Sequence, residues 1–171
     1  MLESLIVYSR EQLVNASLRL PPGPWAGDAE GAQVGGILSI RDNREPYPAA
    51  HEGLPFDHFL TRFEDVQAGP GAATIEHARE VIEWLAPLVE DEGRWGVIVS
   101  CEAGMSRSVG VAQALSLRFN APLFLPPQAA GGMLANETVR TRILEALDEL
   151  YPYDEDRDEL FFPPRGIYQS Y

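Results

Sequence analysis

Apolar runs and polar breaks divide the chain into short strands alternating with helices. "SLIVYS" (4–9) and "GGILSI" (35–40) are compact, β-branched runs that suit buried strands, and "FDHFLTRF" (56–63) alternates well enough for a third. "WGVIVS" (95–100) is continuously apolar, the pattern of a central strand covered on both faces. Between the first two runs, "LPPGPWAGDAEGAQVGG" is dense in Pro and Gly and reads as loop, as does "QAGPGAA" after the third. Helical spacing appears at 75–93, where Thr74 is the expected cap and Ile75, Ala78, Ile82, Leu85 and Val89 share one face. Pro87 should kink or loosen the last turn. "SVGVAQALSLRFN" (108–120) predicts a second helix, of small residues able to approach a sheet closely. "APLFLPPQAAGGML" (121–134) reads as irregular. Asn136 should then cap a last amphipathic helix over 137–150, with Val139, Ile143, Leu147 and Leu150 inward.

Strands alternating with helices imply one α/β domain with a central, largely parallel sheet flanked by helices. The domain spans 1–171, with its core at about 35–150 and an acidic, aromatic tail at 151–171 that either wraps it or stays partly disordered. No internal repeat is present.

Composition narrows the function classes. The chain has 171 residues, 45% of them hydrophobic, which suits one well-buried core. Thirteen Lys and Arg face 26 Asp and Glu, a formal net charge of −13. Such a field repels phosphate backbones and anionic lipid, which argues against nucleic-acid and membrane-surface partners. A single cysteine permits no internal disulfide. The N-terminus has no signal-peptide pattern, and no run approaches the ~18–20 apolar residues needed to span a bilayer. A soluble, cytoplasmic protein is the expectation, and the glycosylation patterns at Asn15 and Asn136 then carry no meaning.

That one cysteine lies in "VIVSCEAGMSRSVGV" (97–111), where a strand, a tight loop and a helix follow one another. Gly104 sits in the loop, and Arg107 stands six positions after Cys101. Loop amides from Glu102 through Ala103, Gly104, Met105 and Ser106 to Arg107 can turn inward as a nest for an anion. The helix N-terminus adds its partial positive charge at the same point, and an arginine there presents a planar fork to two phosphate oxygens. A thiol in that field ionises readily and becomes a nucleophile.

"CEAGMSRS" resembles the C-x5-R-S/T signature of the protein tyrosine phosphatases, and "VIVSCEAGMSRSVGVAQAL" is most similar to their compact dual-specificity branch. The order of elements over 35–150 fits the same family. The resemblance implies Cys101 as nucleophile, Arg107 as phosphate clamp, and Ser108 as the hydroxyl bonded to the cysteine sulfur. It also implies a general-acid Asp roughly 30–40 residues before the cysteine, on a loop after a strand. Asp65 lies 36 before it (101 − 65 = 36). Asp57, Asp42 and Glu64 are the alternatives. The family usually has His directly before the cysteine, where this chain has Ser100, a departure that bears on rate more than on chemistry.

The expected activity is therefore hydrolysis of phosphomonoesters, phosphotyrosine or other phosphoprotein groups first, through a cysteinyl-phosphate intermediate and without metal or cofactor. A rhodanese-like sulfurtransferase and a catalytically idle phosphate-binding module are the rivals. Three other features predict no site. His51, His58 and His77 lack paired metal spacing. "DEDRDE" lacks the Gly and Glu of a calcium loop, and "GPGAAT" lacks the Lys of a nucleotide loop.

Overall fold

The computed structural model describes residues 2–18, 33–43, 57–93, 95–129, 134–152 and 167–169. Six strands form one sheet: β1 (Leu2–Ser9), β2 (Gln33–Arg41), β3 (Asp57–Arg62), β4 (Trp95–Cys101), β5 (Leu123–Leu125) and β6 (Ile167–Gln169). Their spatial order is β3-β2-β4-β1-β5-β6, and every neighbouring pair is parallel. The continuously apolar run, β4, is paired on both sides, with β1 on one and β2 on the other. Because all six strands run the same way, their C-terminal ends lie along one edge of the sheet.

Four helices accompany them among the described residues: α1 (Arg10–Leu18), α2 (Ile75–Glu90), α3 (Arg107–Phe119) and α4 (Glu137–Leu150). Side chains alternate across the sheet with period two. Leu5, Val7, Leu38, Ile40, Val97, Val99 and Cys101 join the core built with α2, α3 and α4. Ile6, Ile37 and Ile98 point the other way and meet Leu13 of α1. The α/β single-domain architecture is as the sequence predicts, with a sheet that is wholly parallel.

Thr74 caps α2 through a capping box with His77, and Asn136 caps α4 by accepting from the Val139 amide at 3.1 Å. α2 runs past Pro87 to Glu90, where the Asp91 amide closes the last turn on the Pro87 carbonyl. Three details differ from the sequence expectation. α1 is a helix that no apolar stripe announces, because Leu13 is its one buried side chain among those described. The stretch read as irregular contains β5 and a single 3₁₀ turn at Pro127–Ala129, and part of the tail forms β6. Leu150 is exposed rather than inward, because the buried face of α4 ends with Ala146 and Leu147. Tail residues 153–166, with "DEDRDE", and 170–171 lie outside the described residues, as does His51.

Candidate active site

Cys101 ends β4, and the next five residues carry the chain to Arg107 at the first position of α3. Gly104 makes that turn possible. Its φ is +67°, and a Cβ there would stand 2.6 Å from the Ser9 amide nitrogen and 2.9 Å from the Tyr8 carbonyl carbon. Both are backbone atoms of β1 and have little room to yield. The neighbouring Glu102 carbonyl accepts from the Arg10 amide at 3.1 Å, so the loop is tied to the β1–α1 junction. Gly104→Ala should therefore displace the loop while leaving the sheet intact. The expected result is loss of oxyanion binding by titration with little change in far-UV circular dichroism; undiminished binding would show that the loop tolerates the shift.

The structure brings together most of the residues singled out in the sequence. Cys101 Sγ lies 3.0 Å from Ser108 Oγ, the contact that the resemblance implies. The cysteine is only 2% exposed and belongs to the core cluster built with α2, α3 and α4. The Arg107 side chain is 4% exposed. Its Nη1 donates to Asp42 Oδ1 at 2.5 Å and to the Phe63 carbonyl at 2.8 Å, while its Nε is buried with no hydrogen-bond partner among the described residues. Asp65 Oδ2 is 4.0 Å from that Nε, close enough for charge attraction and too far for a hydrogen bond.

Asp65 follows β3 on a loop closed by the Glu64 amide and the Gly71 carbonyl at 2.7 Å. Its Oδ1 accepts from Ser106 Oγ at 2.7 Å and from Asn136 Nδ2 at 2.9 Å. Thr138 holds the same loop through the Gln67 carbonyl at 2.6 Å. Asn136 is thus more than a cap: its backbone N–H also donates to the Ser106 carbonyl at 3.1 Å, joining α4, the cysteine loop and the Asp65 loop. With 1% exposure it is no glycosylation acceptor in the folded chain. Gly110 permits this approach, since a Cβ on α3 there would lie 2.7 Å from the Asn136 carbonyl oxygen.

Ser106 is the N-cap of α3 but spends its hydroxyl on Asp65, so α3 starts with no side-chain cap. The amides of Ala103, Gly104, Met105 and Ser106 likewise have no acceptor among the described residues. A buried guanidinium with an unbonded Nε, loop amides with no acceptor among the described residues and an open helix start all belong to the one loop that joins Cys101 to α3. That combination fits an oxyanion. Tyr8 packs on the opposite face of the sheet with Ile6, Leu13, Ile37 and Ile98, where burial raises its phenol above the ordinary value.

The other acids fall differently. Asp57 opens β3 and accepts from Trp84 Nε1 at 2.8 Å, a structural contact across to α2. Glu64 lies beside Gly71. Asp42 pairs with Arg107 itself, and no spacing rule signals that contact, because the two residues meet only when β2 and β4 are neighbours. Asn136 gives a sequence signal as a cap, but its link to Asp65 depends on tertiary packing.

A groove of about 620 Å³ runs along the outer side of the loop, lined by Ser9, Arg10, Glu11, Val14, Glu102, Ala103 and Gln128. It includes neither Cys101 nor Arg107. Arg10 Nη1 and Glu102 Oε2 form an exposed ion pair at 3.4 Å on its rim. Among the described residues, no group of three or more His, Cys, Asp or Glu is placed to hold a metal ion, and no helix is long and apolar enough to cross a membrane. No protein-family model matches the chain, and comparison with curated proteins returned no match.

Proposed function

We propose that the chain is a cysteine-dependent phosphatase of the protein-tyrosine and dual-specificity type, acting in the cytoplasm on phosphomonoesters. The observation that carries this reading is Arg107, a buried guanidinium with an unbonded Nε, standing at the end of the loop that leaves Cys101. A phosphoryl group in the loop would supply acceptors to that Nε and to the loop amides. Cys101 Sγ attacks phosphorus, forming the S–P bond as the P–O ester bond breaks. Arg107 and the loop amides stabilise the equatorial oxygens of the loose transition state. Asp65 gives its proton to the leaving oxygen and then takes one from the water that cleaves the S–P bond. Its Oδ1 is committed to Ser106 and Asn136, so Oδ2 is the oxygen left to carry that proton.

The loop also bears on substrate class. Its variable residues include Glu102 and no Lys, and the Arg10 charge beside them is already paired. Multiply phosphorylated inositol lipids call for additional positive charge, so phosphotyrosine and simple aryl phosphates are the favoured esters.

Phosphate release from an aryl phosphate tests the reading. The chain should turn it over, and Arg107→Lys should lower kcat/KM by about 10²-fold or more, because a point charge cannot reproduce the planar two-pronged contact. No release above buffer, with phosphate still bound, would favour a phosphate-binding module. Sulfur transfer from thiosulfate to cyanide would favour the sulfurtransferase.

A further inference from the structure

Ser100 immediately precedes Cys101, is fully buried, and faces the side of the sheet opposite the sulfur, with Ile98 and Ile37. Its Oγ lies 3.2 Å from Ser39 Oγ on β2, itself fully buried. Ser39 Oγ in turn lies 2.9 Å from His58 Nε2 on β3. Three side chains from three adjacent strands therefore form one polar chain, β3 to β2 to β4, ending at the residue before the nucleophile.

The position of this chain on the ladder gives it a role. Ser39 and Ser100 are the last paired residues of β2 and β4, whereas β1 continues alongside β4 as far as Cys101. At the rung where backbone pairing with β2 stops, side chains continue the connection. His58 is paired with Ile37 and reaches two positions forward to Ser39. Ser39 Oγ has one proton to give and two lone pairs; where Nε2 is the unprotonated ring nitrogen, Ser39 donates to it and accepts from Ser100. The imidazole tautomer sets the direction in which the two hydroxyls point. Without His58, both directions become available to the pair and Ser100 is free to reorient.

We infer that His58, acting through Ser39 and Ser100, is a positioning residue for the cysteine loop, fixing the line along which β4 leaves the sheet. The inference rests on the phosphatase reading for its consequence in turnover, but the positioning is measurable without turnover. Two such measurements are the rate of Cys101 alkylation by iodoacetamide and the affinity for inorganic phosphate by titration.

His58→Phe fills the space without a polar nitrogen. It should change the alkylation rate and weaken phosphate binding by about three- to ten-fold, the worth of one net hydrogen bond. His58→Gln, which can again place a polar atom near Ser39 Oγ, should restore both to within about two-fold. Ser100→Ala should reproduce the His58→Phe effect, and the double variant should be no worse than either single one. Ser100→Ala removes a single oxygen and carries the test if the phenylalanine variant does not fold. Parent-like alkylation and phosphate affinity in His58→Phe or Ser100→Ala would overturn the inference. So would additive losses in the double variant, or losses that glutamine fails to restore. Absent hydrolysis in the parent chain would instead count against the phosphatase reading and leave these two measurements intact.

Discussion

Cys101→Ser should abolish phosphate release while leaving phosphate binding nearly intact. The oxyanion contacts would come from Arg107 and the loop amides, none of which the substitution touches, and the new hydroxyl still faces Ser108 Oγ. A serine hydroxyl at this position has no adjacent base, so the covalent step fails for want of a nucleophile. Release should fall to the buffer level, with the dissociation constant for inorganic phosphate changed by less than about three-fold, within the worth of one hydrogen bond. Activity retained at more than a few per cent of the parent would exclude Cys101 as the attacking atom. Because the thiol is 2% exposed, the same variant also tests whether burial has made it inert. Unaltered turnover would show that the sulfur serves only to pack against the core of α3.

The second large effect belongs to Asp65. Asp65→Asn keeps an oxygen where Ser106 and Asn136 donate, so the loop should stay in place, and removes only the proton-carrying oxygen. Phosphotyrosine hydrolysis should slow by roughly 10² to 10⁴, the usual contribution of a general acid. A strongly activated aryl phosphate, whose leaving group needs no proton, should suffer far less. Equal losses on both substrates would indicate that Asp65 acts by holding Ser106 and Arg107. No loss on either would move the proton to Asp42, the other carboxylate against the guanidinium.

The legible parts of this molecule are those with a local cause. The apolar run at 95–100 announces the central strand, Thr74 and Asn136 announce two helix starts, and Cys101, Gly104 and Arg107 announce a loop by their spacing. α1 escapes notice because its polar residues carry no repeating apolar face, and its place beneath the sheet depends on Leu13 meeting Ile6, Ile37 and Ile98. β5 is three residues long between prolines, so it takes its strand form from β1. Asp42 against Arg107, Asn136 against Asp65 and the His58–Ser39–Ser100 chain join residues far apart in sequence. Each depends on strand order and on the packing of α4, which no window of sequence contains.

The strand order has a kinetic consequence. β4 closes against β1 with Leu2 opposite Trp95, a separation of 93 residues (95 − 2 = 93), and no hairpin shortens the search. Contacts between residues so far apart form late, because much of the intervening chain must be ordered before they are rewarded. The cysteine loop rests on this closure, since Gly104 abuts Ser9 and Arg10 bonds to the Glu102 carbonyl. No fragment lacking either end of that span can assemble the loop. In refolding, recovery of the site should coincide with the slowest global phase, so that activity serves as a gauge of the completed sheet.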